Sequence, residues 1–158
     1  MPHFRDFIFY IFEIIMKIVR ITIKGASGYG PSDEGYEDKV ILTESSISYE
    51  FRQNRIDDTE GPTYRKWSYK TTSTEFKAIF REVAAMTPAV MDKDEELLAD
   101  DIGPTEITVT YDDRHQQRRC FFCPGEYFAE YFRLIKKLVP QREKVPVVLR
   151  TSEDADQF

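Results

Sequence analysis

Cysteine, histidine and glycine are all scarce in this chain. Of 158 residues, two are Cys, at 120 and 123, two are His, at 3 and 115, and seven are Gly. A small secreted scaffold spreads four or more cysteines along its length. Here the fold must rest on packing, and a reducing cytoplasm is the simplest setting. A closed zinc site takes four protein ligands. The single C-x-x-C supplies two, so a metal would need His115, carboxylates or a second copy of the chain. No G-x-S-x-G, H-E-x-x-H or kinase signature is present. No catalytic residue, cofactor or metal ligand set is therefore assigned, and the balance leans towards a non-enzymatic protein. Excess positive charge is missing too. The net charge is -6 and the pI about 5.1, which repels phosphate backbones and argues against nucleic-acid binding.

Long hydrophobic runs are also missing. Residues 7 to 23 read FIFYIFEIIMKIVRITI, but Glu13, Lys17 and Arg20 interrupt them. A spanning helix needs about 20 mainly apolar residues, and central charges oppose insertion. An integral membrane protein is therefore not expected. A signal peptide needs an unbroken apolar stretch and small residues at the cleavage site. Glu13 ends the stretch early, and Gly25, Ala26 and Ser27 lie beyond Lys17 and Arg20. Membrane association or export stays as the alternative if the first 15 residues are a targeting segment. Translation from Met16 is a third reading, because MKIVRITIKG opens directly into a strand.

What is present is aromatic, charged and patterned. Hydrophobic residues make up 41% and charged residues 32%, with 12 Phe, 9 Tyr and 1 Trp. Alternation places Val19, Ile21 and Ile23 on one side of a strand over 17–24, with Ile18 the exception. Further strands follow at 39–43, 46–52 and 65–71. The spacing predicts a helix opened by a Thr72/Glu75 capping box and ended by Pro88. Residues 89–101 read as a short helix or an acidic excursion. Two more strands, 105–112 and 117–123, form a hairpin. A second helix runs from about Pro124 to Leu138 with an apolar stripe of Phe128, Tyr131, Phe132, Ile135 and Leu138. Tyr127 beside Phe128 makes that stripe wide enough to be either deeply buried or shared with a partner. VPVVL at 145–149 reads as an edge strand because Pro146 forbids a central one, and TSEDADQF as a frayed end.

The order β-β-β-β-α-β-β-α lacks regular βαβ alternation, which disfavours a doubly wound parallel sheet. The expected fold class is α+β: a mainly antiparallel sheet of about six strands with two helices packed on one face. Ser48, Glu50, Arg52, Lys66, Ser68, Lys70, Glu106, Thr108 and Thr110 would lie on the opposite, wet face. The domain plan is an apolar segment at 1–16, one domain at 17–140 and a tail at 141–158.

The sharpest chemical candidate is Cys120-Phe-Phe-Cys123-Pro124, where a strand meets a helix start. A helix dipole and Arg118 and Arg119 could favour the Cys123 thiolate, with Cys120 as its resolving partner. Thioredoxin-like proteins carry a C-x-x-C at such a junction, but the Phe-Phe insert and the element order here depart from theirs. The plainer reading makes both cysteines small apolar residues. GASGYGP at 25–31 lacks the Lys-Ser/Thr of a P-loop. The acidic groups at 33–38, 57–60 and 92–101 lack calcium-loop spacing. Arg114, His115, Arg118 and Arg119, with Arg52, Lys66 and Lys70, could make a basic patch, interrupted by Glu50 and Glu106.

KIVRITIKG, the Gly-rich loop, KVILTESSISYEF, WSYKTTSTEFKAIFREV, EITVTYDD and the final aromatic helix together resemble small uncharacterised bacterial α+β domains. The resemblance covers most of 17–139 and implies a bacterial protein. It brings no catalytic residue with it. The expected function is protein binding or self-association as a homodimer, with a thiol redox or metal-binding protein using Cys120 and Cys123 as the alternative.

Overall fold

Among the described residues, alternating β-branched and aromatic side chains build six strands: β1 (Ile18–Ala26), β2 (Tyr36–Thr43), β3 (Ser46–Gln53), β4 (Tyr64–Lys70), β5 (Thr105–Tyr111) and β6 (Gln116–Phe121). A computed structural model describes residues 16–28, 35–53, 64–94 and 102–157. The apolar segment 1–15, residues 29–34 and 54–63 and the acidic stretch 95–101 lie outside the described residues. Every strand pairs antiparallel to its neighbours in the order β4-β3-β2-β1-β5-β6. Helix α1 (Thr74–Met91) and helix α2 (Ala129–Lys136) complete the α+β fold.

Register fixes which side chains share a face, because successive side chains alternate. Two cross-strand rows run Tyr69–Ile47–Leu42–Ile21–Val109–Gln117 and Trp67–Tyr49–Val40–Ile23–Ile107–Arg119. Their central members form the core beneath the helices, and Ile21, Ile23, Val40, Leu42, Ile47, Ile107 and Val109 are all fully buried. Each such side chain contributes about 1.5–3 kcal/mol by leaving water. The other face carries Ser48, Glu50, Arg52, Lys66, Ser68, Lys70, Glu106, Thr108 and Thr110, none of them buried. Near the start of β1 the sequence parity fails. The β1–β5 register shifts between Ile18 and Arg20, so Ile18 turns inward and Val19 is exposed. A bulge adds one residue and exchanges the faces on either side of it.

Helix α1 begins one residue later than a Thr72 cap requires. Ser73 is the cap, its Oγ accepting from Phe76 N at 3.3 Å, while Thr71 Oγ1 accepts from Ser73 N at 3.0 Å. That second bond holds Ser73 as the last non-helical residue. The helix also runs through Pro88 to Met91. The proline forfeits one amide so near the end that only the last turn is affected, and Val90 and Met91 remain packed against the core. Thr87 Oγ1 bonds to Val83 O at 2.7 Å and to Tyr131 Oη at 2.8 Å, tying α1 to α2.

Strand β6 ends at Phe121, earlier than alternation suggests. Past Pro124 the chain first makes a 3-10 turn, Gly125–Phe128, and α2 starts only at Ala129. The aromatic stripe is buried as expected: Phe128, Tyr131 and Phe132 are inside, and Tyr127 is half-buried under Lys93 Nζ, 4.0 Å from its ring centre. The segment 145–149 is not an edge strand. Pro146 leads into a 3-10 turn, Val147–Leu149, that inserts Val148 and Leu149 into the core. Up to Gln157 the described end is not frayed either. Ser152–Gln157 forms 3-10 turns kinked at Asp154, and Asp154 and the preceding Thr151 are buried. Lys136 Nζ reaches Asp154 Oδ2 at 2.7 Å, and Asp154 Oδ2 also accepts from Thr151 N at 3.1 Å. An internal ion pair and an apolar plug thus hold the tail as a strap across one end of the sheet.

Candidate functional site

Among the described residues, three places gather polar or titratable groups: the strap anchor, the wet sheet face and a groove beside α1. The strap anchor centres on Asp38, whose side chain points inward from β2 and is 4% exposed. Its Oδ2 accepts from Tyr49 Oη at 2.9 Å and from Val148 N at 2.8 Å, while Val147 N donates to Tyr49 Oη at 3.2 Å. Oδ1 has no hydrogen-bond partner. It lies against Gly25, the cross-strand neighbour, where a Cβ would stand 2.6 Å from Oδ1 and 2.8 Å from Val148 Cγ2. Only glycine leaves room for the carboxylate and the strap together. Burial pushes the Asp38 pKa up, opposed by the two hydrogen bonds and by Arg150 and Arg65. Burial and the Asp38 charge likewise raise that of Tyr49. This arrangement is a structural clamp, with the orphan oxygen buried against Gly25.

On the wet face one row reads Lys66–Glu50–Lys39–Lys24–Glu106–Cys120 across all six strands. A shallow hollow of about 340 Å³ lies over Lys24, Lys39, Glu106 and Cys120. Glu50 accepts from Arg52 Nε at 2.7 Å, which holds its carboxyl below the usual range. The expected basic patch is therefore interleaved with acids, and Arg119 leaves it altogether by facing inward opposite Ile107.

The two cysteines occupy different environments. Cys120 is exposed on β6, opposite Glu106 on the wet face; Cys123 is 1% exposed within the core. The α-helix expected to begin beside Cys123 starts at Ala129 instead, after a one-turn 3-10 segment. His115 sits in the exposed β5–β6 turn, edge-on to Tyr111. Among the described residues no three His, Cys, Asp or Glu side chains gather as metal ligands would. Among them also, no helix is long and apolar enough to cross a membrane.

The third place is the groove, a concavity of about 1090 Å³. Its position follows from the path of α1. Phe76 near the helix start packs on Tyr69 of β4, and Arg119 of β6 donates to Met91 O at the helix end, at 2.9 Å. The helix therefore crosses the inner face diagonally. On one side lie α2 and the strap. On the other, the corner between the start of β1, the end of β5 and β6 has no helix over it among the described residues. Ile18 and Phe80 form an apolar floor, with Ala84, Ala85, Pro88 and Met91 along the helical wall. Lys17, Arg81, Arg118 and Arg119 stand with Glu44 and Asp92 around it. Glu44 is held by Lys17 Nζ at 3.6 Å and Lys77 Nζ at 3.9 Å.

Sequence reasoning did not find this groove, although it left a trace. β6 reads QQRRCF, so Gln117 and Arg119 are polar at the inward parity where its neighbours carry Val109 and Ile107. A strand polar on both sides marks a part of the sheet without apolar cover. Comparison with known proteins supplies no identity at this point: no protein-family model matches the chain, and no curated protein matches it.

Proposed function

We propose that this chain is a non-enzymatic module that binds a protein partner through the groove beside α1. One observation carries the reading: a concavity of about 1090 Å³ with an apolar floor and polar edges, the composition of a protein-recognition surface with a dry centre and wet rim. In the strap clamp Asp38 Oδ2 takes two donors, and on the wet face Glu50 is held by Arg52. The cysteine count supports a reducing, cytoplasmic setting, and the resemblance to small bacterial domains supports a bacterial one.

The test is backbone NMR shift mapping of the full chain against a panel of amphipathic helical peptides. Shifts should concentrate at Ala84, Ala85, Tyr111 and Gln117 and vanish in Ala85→Trp, which fills the groove from an exposed helix position. Shifts centred on Lys24 and Lys39, or none with any peptide, would refute the reading.

A further inference from the structure

Resting on the groove reading, we propose that its occupant is an acidic amphipathic helix of a partner protein, with apolar side chains on Ile18, Phe80 and Ala84 and carboxylates towards Arg81 and Arg119. Charge complementarity carries the choice. The whole chain has a net charge of -6, yet four cations and two anions, besides His115, line this groove. Arg81 and Arg119 form no ion pair among the described residues, whereas Glu44 is already engaged by two lysines. Arg119 is also pre-positioned: it donates to Met91 O and its guanidinium lies 4.4 Å from the centre of the Phe121 ring. Arginines beside a partly dry floor are suited to fork-like contacts with carboxylates.

Shape supports a helix. The wall runs along α1 from Arg81 to Asp92, about 17 Å at 1.5 Å per residue, which matches a segment of about three turns. Such a segment would lie beside α1 as α2 does on its other side, completing the inner face. A concave apolar floor is a poor match for a flat bilayer, and it offers no exposed aromatic platform for nucleotide bases.

The experiment is fluorescence anisotropy with the full chain and three labelled helical peptides. They share one apolar stripe and carry Glu, Gln or Lys at the polar positions. The Glu peptide should bind about tenfold tighter than the Gln peptide, with the Lys peptide weakest, and added salt should narrow the gap. The variant Arg81→Glu should cancel or reverse that order, and Ala85→Trp should abolish all binding. Equal binding of the three peptides, still blocked by Ala85→Trp, would overturn the acidic partner while leaving the groove reading intact. Binding indifferent to Ala85→Trp, or absent, would overturn both. Three further results would each reassign the site and overturn the proposal. These are tighter binding of a peptide of residues 1–15, tighter binding of anionic vesicles or single-stranded DNA, and a dimer by light scattering that Ala85→Trp disperses.

Discussion

Replacing Asp38 by alanine removes the acceptor at the centre of the strap clamp. Tyr49 Oη and Val148 N both donate to Asp38 Oδ2, and both are left without that acceptor inside the protein. A buried donor stripped of its partner costs about 1–3 kcal/mol, so two cost about 2–6 kcal/mol. Part of this is returned, because the folded state no longer desolvates a carboxylate. A net loss of about 2–4 kcal/mol is expected, a large share of a typical domain's stability. Asp38→Asn keeps an oxygen acceptor and should cost about 1 kcal/mol, since its amide then faces Gly25 without a partner. The two variants also separate charge from hydrogen bonding. Burial raises the Asp38 pKa in the folded state. Between its ordinary value, about 4, and that raised value, the folded chain holds the proton more tightly than the unfolded one. Stability from this group therefore falls as pH rises through the window and is fully present below it. Urea unfolding followed by circular dichroism across pH 4 to 8 measures both effects. An Asp38→Ala variant within about 0.5 kcal/mol of wild type would refute the clamp. So would a wild-type advantage over Asp38→Asn that grows with rising pH in the acid window.

Gly25→Ala should cost about 1–3 kcal/mol through overpacking, because the new methyl meets Asp38 Oδ1 and Val148 Cγ2. In Gly25→Ala/Asp38→Ala the costs should be less than additive, since the carboxylate being crowded is gone; strict additivity would show that the two sites do not touch. Leu149→Ala, at a fully buried strap position, should lose about 2–5 kcal/mol, read as a lower urea midpoint. A thiol reagent added to the native chain should label Cys120 rapidly and Cys123 only after denaturation, given their exposures; mass spectrometry of the labelled peptides would detect a reversal. Hydrogen bonds from Lys136 and Arg133 lower the Glu153 pKa. That contribution is present above the ordinary glutamate range and lost as pH falls through the lowered value. Proteolysis of the last ten residues should therefore accelerate in acid, and Lys136→Gln should weaken that dependence.

The sheet was legible because alternation is a strong signal when one face is dry. Ile21, Ile23, Val40, Leu42, Ile47, Tyr49, Ile107 and Val109 follow it without exception. Errors fall where a local rule competes with packing. A bulge reverses Val19 and Ile18. Pro88 reads as a stop, yet its helix continues because the core holds Val90 and Met91. VPVVL has strand composition, but its backbone turns so that Val148 N can meet Asp38 on a strand 110 residues earlier in the chain. Pairing over such a separation leaves no local trace. The C-x-x-C is conspicuous as a motif, and the structure sets its members in unlike surroundings because Cys120 follows strand parity and Cys123 lies beyond the strand. The groove shows the reverse case. Its residues form no motif, and their only mark is polarity at Gln117 and Arg119 where parity expects apolar side chains.

A diagonal helix divides the inner face into two corners, and the chain treats them differently. At the corner where β1 meets β2 near Gly25, its own C-terminal residues supply the cover. Val148 and Leu149 plug it, Asp38 takes a strap amide, and Lys136 fastens the end through Asp154. Every element there is arranged for permanent closure: buried donors have acceptors, and a glycine is kept where any other side chain would collide. At the corner between Ile18, Tyr111 and Gln117 the solution is different. Beside the apolar floor, the residues that would be dry under a permanent cover are Gln117 and Arg119. Polar groups at those positions lower the cost of exposing the corner to water and weaken any occupant relative to an all-apolar seat. That balance suits a surface occupied reversibly. It also explains why the cations gather here: with less apolar area to hold a partner, orientation and selection fall to charge, which acts on encounter rate and specificity more than on affinity.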